Sequence, residues 1–509
     1  MKWIKLLRIG QSFRYVRRNL IVTFLIGSLI VLVLGGVTQI QSQAQAQIQT
    51  PANAYCQLAA EAIVQTSTVR QAALQGDTSA QQDYTNLVRQ QSAQLQRCRS
   101  QNWPDNQALW LRLYPCDAKP GALEELFDRV VSRGYNQVYL EVFHDGQVLL
   151  PAANNPTAWA SILRSQGYEN TDLLKAAITI GHERGLKVYA WLFTLNFGYA
   201  YSLRPEHEQA LARNGKGETS VAALSSGTSG IVNNNEMFVD PYSTQAKRDY
   251  QILLQAVLQR RPDGVLFDYV RYPLGSGSAS VASRVEDLWI YGTASQQSLY
   301  DRALNRKGLE LISRFLQQGH ITASDVSAVN ALYPQEDAPQ WQGRSSSSSN
   351  SVEELQDQLW YLAVAHAVQG VLDFLATAAH TVQQQGLPAG VVFFPEANRQ
   401  VGQRGYDSRL QPWDRFPGTL EWHPMAYATC EDASCIVAQV EKVISHSPDN
   451  TLVIPVLAGM WGRDISGHPP LERQMAAIRQ ATPQIHSVSH FAYSWQEPQH
   501  DRERQFCQL

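Results

Sequence analysis

Several familiar signatures are missing from this chain of 509 residues. It has no GxGxxG after a strand, no phosphate-cradling GxxxxGK, no GxSxG nucleophile elbow and no HExxH. Dinucleotide, P-loop, serine-hydrolase and zincin chemistry therefore lack their sequence support. The twelve histidines are scattered. The nearest approach to a ligand pair is His486 with His490, which straddle the start of the last strand at the end opposite the candidate site, so the sequence predicts no metal and no cofactor. Charge is also sparse, at 17%. The first 46 residues hold no acid at all, only Lys2, Lys5, Arg8, Arg14, Arg17 and Arg18; the rest carries 36 basic against 45 acidic residues, a net −9. Such a body is not expected to bind nucleic acid.

Long apolar runs are equally scarce. By hydropathy alone one stretch stands out, residues 20–37, which follows that basic flank and precedes Ala44-Gln45-Ala46 in a Gln-rich segment. Residues 1–46 thus read as a signal peptide or membrane anchor, with the basic flank inside and the body exported to the periplasm, cell envelope or exterior. The six cysteines suit an oxidising compartment. Residues 47–105, rich in Ala and Gln with a break at Gly76-Asp77, read as a helical hairpin that brings Cys56 to Cys98. Cys430 and Cys435 bracket a short loop. Cys116, after the first barrel strand, and Cys507, after the last, are left to latch the seam of a closed barrel.

From residue 107 onward, apolar strands alternate with amphipathic helices, the pattern of a parallel sheet with crossover helices. The strands read as 108–114, 137–143, 187–193, 264–270, 390–394, 421–426, 452–457 and 488–493. Helices read as 123–133, 172–184, 244–260, 352–385, 436–445 and 471–480, with Gly134 and Gly185 as left-handed stops. Eight strands, each followed by a helix, predict an α/β fold, a (β/α)8 TIM barrel over residues 106–509. Polar insertions at 199–241 and 274–350 follow strand ends and are expected to shape a cleft. The second ends in a serine run, Ser345 to Ser349.

The segment DGVLFDYVRYP, Asp263 to Pro273, concentrates the chemistry. An apolar strand delivers Asp268, and Tyr269, Arg271 and Tyr272 crowd its end. A carboxylate ringed by aromatics and a guanidinium at a strand's carboxyl end suits a sugar-cleaving barrel. Glycoside hydrolysis commonly uses two carboxyl groups in different protonation states. The reading assigns Asp268 as the ionised member, steadied by Arg271. It assigns Glu396, past the fifth strand, as the acid, with its pKa raised by Val392 and Phe394. Glu141 on strand two is a third candidate, for a direct role or as the partner that orients Arg112. His423 is a candidate donor to a sugar hydroxyl, or a buried core histidine. Tyr427, Trp461 and Trp495 lie at or beyond strands six to eight, where aromatic faces stack on pyranose rings. Asp240 is expected to start the helix that follows it.

These residues also carry a resemblance. The stretch VDPYS (Val239 to Ser243), a helix and then DGVLFDYVRYP resemble the signature region of bacterial glycoside hydrolases of the family 10-like group, whose activity is unassigned. HPMAY (His423 to Tyr427) and FAYSW (Phe491 to Trp495) resemble that group's sixth and eighth strands. The resemblance covers roughly residues 107 to 497; the FFPEA region and the two insertions match less well. It implies a barrel that cleaves glycosidic bonds, in some members in cell-wall glycans. A fainter similarity to chitinase-type barrels stops at strand four, where the DxxDxDxE pattern is absent and no catalytic glutamate carries over. The expected partner is a polysaccharide or oligosaccharide, together with the membrane if the N-terminal segment persists. The alternatives are a silent glycan-binding barrel of the envelope and a transglycosylase.

Overall fold

The computed structural model describes residues 55–225, 235–345 and 347–509. The expected signal or anchor segment lies outside them. Eight strands, all parallel, form one closed cylinder: β1 (Asn106–Leu111), β2 (Gln137–His144), β3 (Lys187–Phe193), β4 (Gly264–Asp268), β5 (Ala389–Phe393), β6 (Glu421–Ala426), β7 (Val456–Ala458) and β8 (Ser487–Phe491). Each pairs with its neighbours in chain order, and β8 returns to β1 through pairs such as Ala108 with Ser489. The fold is a (β/α)8 barrel.

Both faces of the strands are buried, which explains their near-continuous apolar character. Residues of one parity point inward and fill the cylinder with rings. Trp110 meets Tyr139 and Trp191 at centroid distances of 4.9 and 4.7 Å. Space for those rings comes from a small residue: a Cβ on Gly264 would stand 2.5 Å from the Tyr189 ring. Gly264 is thus a packing glycine in the strand rather than part of a turn.

The outer layer consists of α3 (Ala122–Ser132), α4 (Leu173–Glu183), α5 (Thr244–Leu258), α6 (Val352–Gln383), α7 (Ser434–His446), α8 (Leu471–Ala481) and α9 (Pro498–Gln505). Gly134 and Gly185 follow α3 and α4 at φ 80° and 70°. One expectation fails. No α-helix joins β5 to β6; a 3-10 turn, Trp413–Arg415, and two short strands do. Those strands, Gln400–Val401 and Gly405–Asp407, pair antiparallel with each other, and Gly405–Asp407 also pairs antiparallel with Val281–Ala282, which ties that loop to the second insertion. Nor is the N-terminal run alone in being long and apolar. The 32-residue α6 is long and apolar as well, yet residues along its length, from Leu355 to Val382, are buried in the fold.

The hairpin, α1 (Ala60–Leu74) and α2 (Thr78–Arg99), turns at Asp77, whose carboxylate caps Ala80 N at 3.0 Å. It joins the barrel through ionic contacts. Asp128 of α3 accepts from Arg70, Tyr84 and Arg184 at 2.6, 2.9 and 2.9 Å. Arg99 donates to the carbonyls of Gly134, Pro104 and Tyr55. All three expected disulfides are present: Cys56–Cys98, Cys116–Cys507 and Cys430–Cys435.

Candidate active site

At the carboxyl end of β4, the strand stops at Asp268 because the next residue, Tyr269, adopts φ +53°. A left-handed conformation is costly for a side chain of this size, on the order of 1–2 kcal/mol. The surroundings hold it: the Tyr269 ring lies 4.2 Å from Phe193 and 4.4 Å beneath the Arg271 guanidinium, and its hydroxyl donates to Glu236 at 3.1 Å. The turn presents Asp268 to the mouth of the barrel. One carboxyl oxygen accepts Tyr269 N at 2.6 Å and the other accepts Trp191 Nε1 at 3.1 Å.

Burial dominates the electrostatics of Asp268. It pushes the carboxyl up to about 6 against the two hydrogen bonds and the Arg271 charge, and the negative charge of Glu141 adds to the rise. Tyr427, just past the end of β6, is partly buried near it, and burial together with the Asp268 charge raises its phenol well above the usual value. Its ring lies 5.9 Å from Phe491.

Two strands away, Glu141 on β2 is wholly enclosed and forms a two-pronged ion pair with Arg112, whose side chain is 41% exposed. His144 Nδ1 stands 3.7 Å from the same carboxylate, and burial lowers the pKa of that imidazole. Glu141 and Arg112 line a cleft of about 180 Å³ together with Trp110, Trp191, Phe491 and Asp501. The C-terminal tail builds one wall. Tyr114 donates to Asp501 at 3.1 Å, while Arg504 grips Asp117 and donates to the Arg112 carbonyl at 2.8 Å.

A larger groove of about 320 Å³ begins at Pro273 and is walled by both insertions, with Asn214, Lys216, Ser283 and Trp289 among its lining residues. Its acids, Glu286 and Asp287, are ion-paired with Arg284.

The sequence candidates divide. Asp268, Tyr269, Arg271, Glu141, Arg112 and Tyr427 come together at the mouth. Glu396 does not join them: Gln439 of α7 donates to its carboxylate, and Lys442 of the same helix donates to the preceding carbonyl of Pro395. His423 sits inside the barrel, fully buried, with its ring 5.3 Å from Tyr139 and its Nε2 3.4 Å from Glu421. That is a core position below the rim. Trp461 folds outside the cylinder onto Tyr55 and His490 and donates to Tyr135 OH at 3.3 Å. Trp495 faces His468 in the loop after β7, with 6.0 Å between ring centroids. The three aromatics therefore do not form one rim. Asp240 does not cap the helix that follows; Ser243 does, while Asp240 accepts from Tyr242 N and Ser295 N.

Sequence reasoning passed over Trp110, Trp191, Glu236, Asp501 and Tyr114. The period-2 alternation of β1 and β3 carries the signal for both tryptophans, since Tyr189, Trp191 and Phe193 share the inward face. Among the described residues, no group of three or more His, Cys, Asp or Glu is placed to hold a metal ion.

Solved structures similar to this chain include the catalytic domain of a beta-amylase from Paenibacillus polymyxa, at 9% identity and TM-score 0.46 over 76% of this chain and 92% of that one. A GH18 chitinase from Pseudoalteromonas aurantia aligns at 11% identity and TM-score 0.35, covering 76% and 94%. The spore cortex-lytic enzyme SleL of Bacillus megaterium aligns at 9% identity and TM-score 0.36, covering 79% and 74%. No curated protein matches the sequence. The model of one family does: residues 103–301, from the start of β1 through DGVLFDYVRYP and into the second insertion, match glycosyl hydrolase-like 10.

Proposed function

We propose that this protein is an exported glycoside hydrolase that cleaves glycosidic bonds in a cell-wall or extracellular polysaccharide, with Asp268 as the acid and Glu141 as its ionised partner. The observation that carries the reading is the state of Asp268: a strand-end carboxyl held near pH 6 by burial, within the field of a second carboxylate that is ion-paired to Arg112. Divergent environments for two carboxyls are what acid-assisted glycoside cleavage requires. In this scheme protonated Asp268 gives its proton to the leaving glycosidic oxygen as the bond to the anomeric carbon breaks, and water then adds to that carbon and returns a proton to Asp268. Glu141 faces the positive charge that develops at the anomeric carbon. Arg112 holds Glu141 by its two-pronged ion pair, and the Trp110, Trp191 and Phe491 rings offer apolar faces for the sugar.

These roles differ from the assignment made on sequence, in which Asp268 was the ionised group and Glu396 the acid. Burial without a close ion pair favours the neutral form of Asp268, and Glu396 is engaged by α7. Three disulfides support an oxidising compartment, which fits export. The test is reducing-end release from a glycan panel that includes peptidoglycan, by wild type, Asp268→Asn and Glu141→Gln. Release by wild type and its loss in both variants is the expected result. Wild type that binds glycan but releases nothing would make the barrel a binding protein.

A further inference from the structure

Near Asp268, past the end of β4, lies a buried cation that the fold leaves nearly unused. Arg271 is 6% exposed and, among the described residues, makes one hydrogen bond, to the carbonyl of Tyr272 at 3.0 Å. Its guanidinium rests on the Tyr269 ring at 4.4 Å and near Phe238 at 5.7 Å. Among the described residues, none of the ion pairs within 4.0 Å involves Arg271, and the remaining residues of the chain contain no acid at all. Other buried arginines are treated differently. Arg70, Arg184, Arg409 and Arg504 each pair with an aspartate. Arg99 and Arg344 lack a carboxylate yet spread their N–H groups over several oxygens. Burying a charge without such partners is costly unless something else completes the site.

From this contrast we infer that Arg271 is the receptor for a carboxylate on the substrate, so that the sugar bound at Asp268 is an acidic one. The inference rests on the hydrolase reading above and names its substrate class. A guanidinium offers a planar fork of N–H donors that matches a carboxylate in two-pronged fashion, and the aromatic faces fix the plane of that fork. The carboxylate can belong to a uronic acid or to a carboxyl-bearing ether on the ring; both present the same two oxygens.

Equilibrium binding tests this independently of turnover, read by the fluorescence of Trp110 and Trp191 in the cleft. The probes are an oligouronate, an oligosaccharide bearing carboxyalkyl ethers, and each of these with its carboxyls reduced to alcohols. Wild type is expected to bind at least one acidic probe about tenfold or more tighter than its reduced form, the usual worth of a charge-assisted pair. Which acid is preferred identifies the source of the carboxylate. Arg271→Gln should bring acid and alcohol within about twofold of each other, and Arg271→Lys should restore part of the preference. Equal binding of acid and alcohol by wild type would overturn the inference, as would a preference that survives in a folded Arg271→Gln protein. Acid-selective binding with no release of reducing ends from any glycan would instead count against the hydrolase reading alone.

Discussion

The two ends of the barrel treat buried charge in opposite ways. At the amino end, where the hairpin docks, Asp128 collects donors from Arg70, Tyr84 and Arg184, and Arg99 spends its N–H groups on three carbonyls. At the carboxyl end, burial pushes the Asp268 carboxyl up to about 6, and among the described residues Arg271 makes a single hydrogen bond, to the Tyr272 carbonyl. The first end satisfies its polar groups and gains rigidity. The second leaves them incompletely satisfied and holds a backbone turn in the left-handed region at Tyr269. The contrast runs along the barrel axis, as expected if the mouth is the part that meets substrate.

The largest effect should come from the mouth. Asp268→Asn is expected to reduce glycan cleavage by about 10³-fold, within the usual range for loss of a general acid. The same substitution should leave the fold as stable at pH 7, or make it more so. Asp268 has a folded pKa near 6, above its unfolded value, so the folded state binds the proton more tightly and stability declines as pH rises from about 4 to about 6. Asn removes that decline, which amounts to at most ~3 kcal/mol. Thermal melts of both proteins from pH 4 to 7 check the sign: the gap in Tm should open in favour of the variant as pH rises. At the other end, Asp128→Ala should destabilise the protein by about 3–5 kcal/mol, because it removes the nearest carboxylate from two buried arginines, Arg70 and Arg184. Denaturant midpoints measure that loss, while the activity of the folded fraction at low temperature should stay near wild type. If Asp128→Ala impaired turnover as severely as Asp268→Asn, the separation of roles would fail.

Much of this scaffold was legible before any coordinates. The bounds of β3 and β6 coincide with the expected 187–193 and 421–426, because buried parallel strands are short apolar runs between polar breaks. The cysteine pairings followed from where the elements begin and end. The candidate site was legible at strand ends: Asp268 and Glu141 stand on the inward faces of their strands, where alternation determines direction, and Arg112, Tyr269, Arg271 and Tyr427 lie within three residues past a strand. Glu396 lies beyond β5 in a loop, where no period applies, and the position of Gln439 on α7 decided where its carboxylate went. Trp461 was misplaced for the same reason. The loop after β7 turns back outside the cylinder, toward Tyr55 of a hairpin some four hundred residues earlier in the chain. The raised pKa of Asp268 was likewise out of reach, since it depends on how little solvent the surrounding rings admit.

The smallest effect sharpens the boundary of the site. Trp495 lies against His468, outside the lining of the cleft, whereas Trp191 both lines the cleft and donates to Asp268. Trp495→Ala is therefore expected to change KM for glycan by less than about twofold, as for a surface substitution remote from the reacting groups. Trp191→Phe keeps a ring but loses the indole N–H, which helps hold the charged form of Asp268. It should shift the basic limb of the pH–rate profile upward by a fraction of a unit, with a modest change in KM. A large rise in KM in Trp495→Ala with none in Trp191→Phe would move the sugar-binding surface to the loops after β7 and β8. The mouth at β4 would then have to be abandoned as the place where the ring stacks.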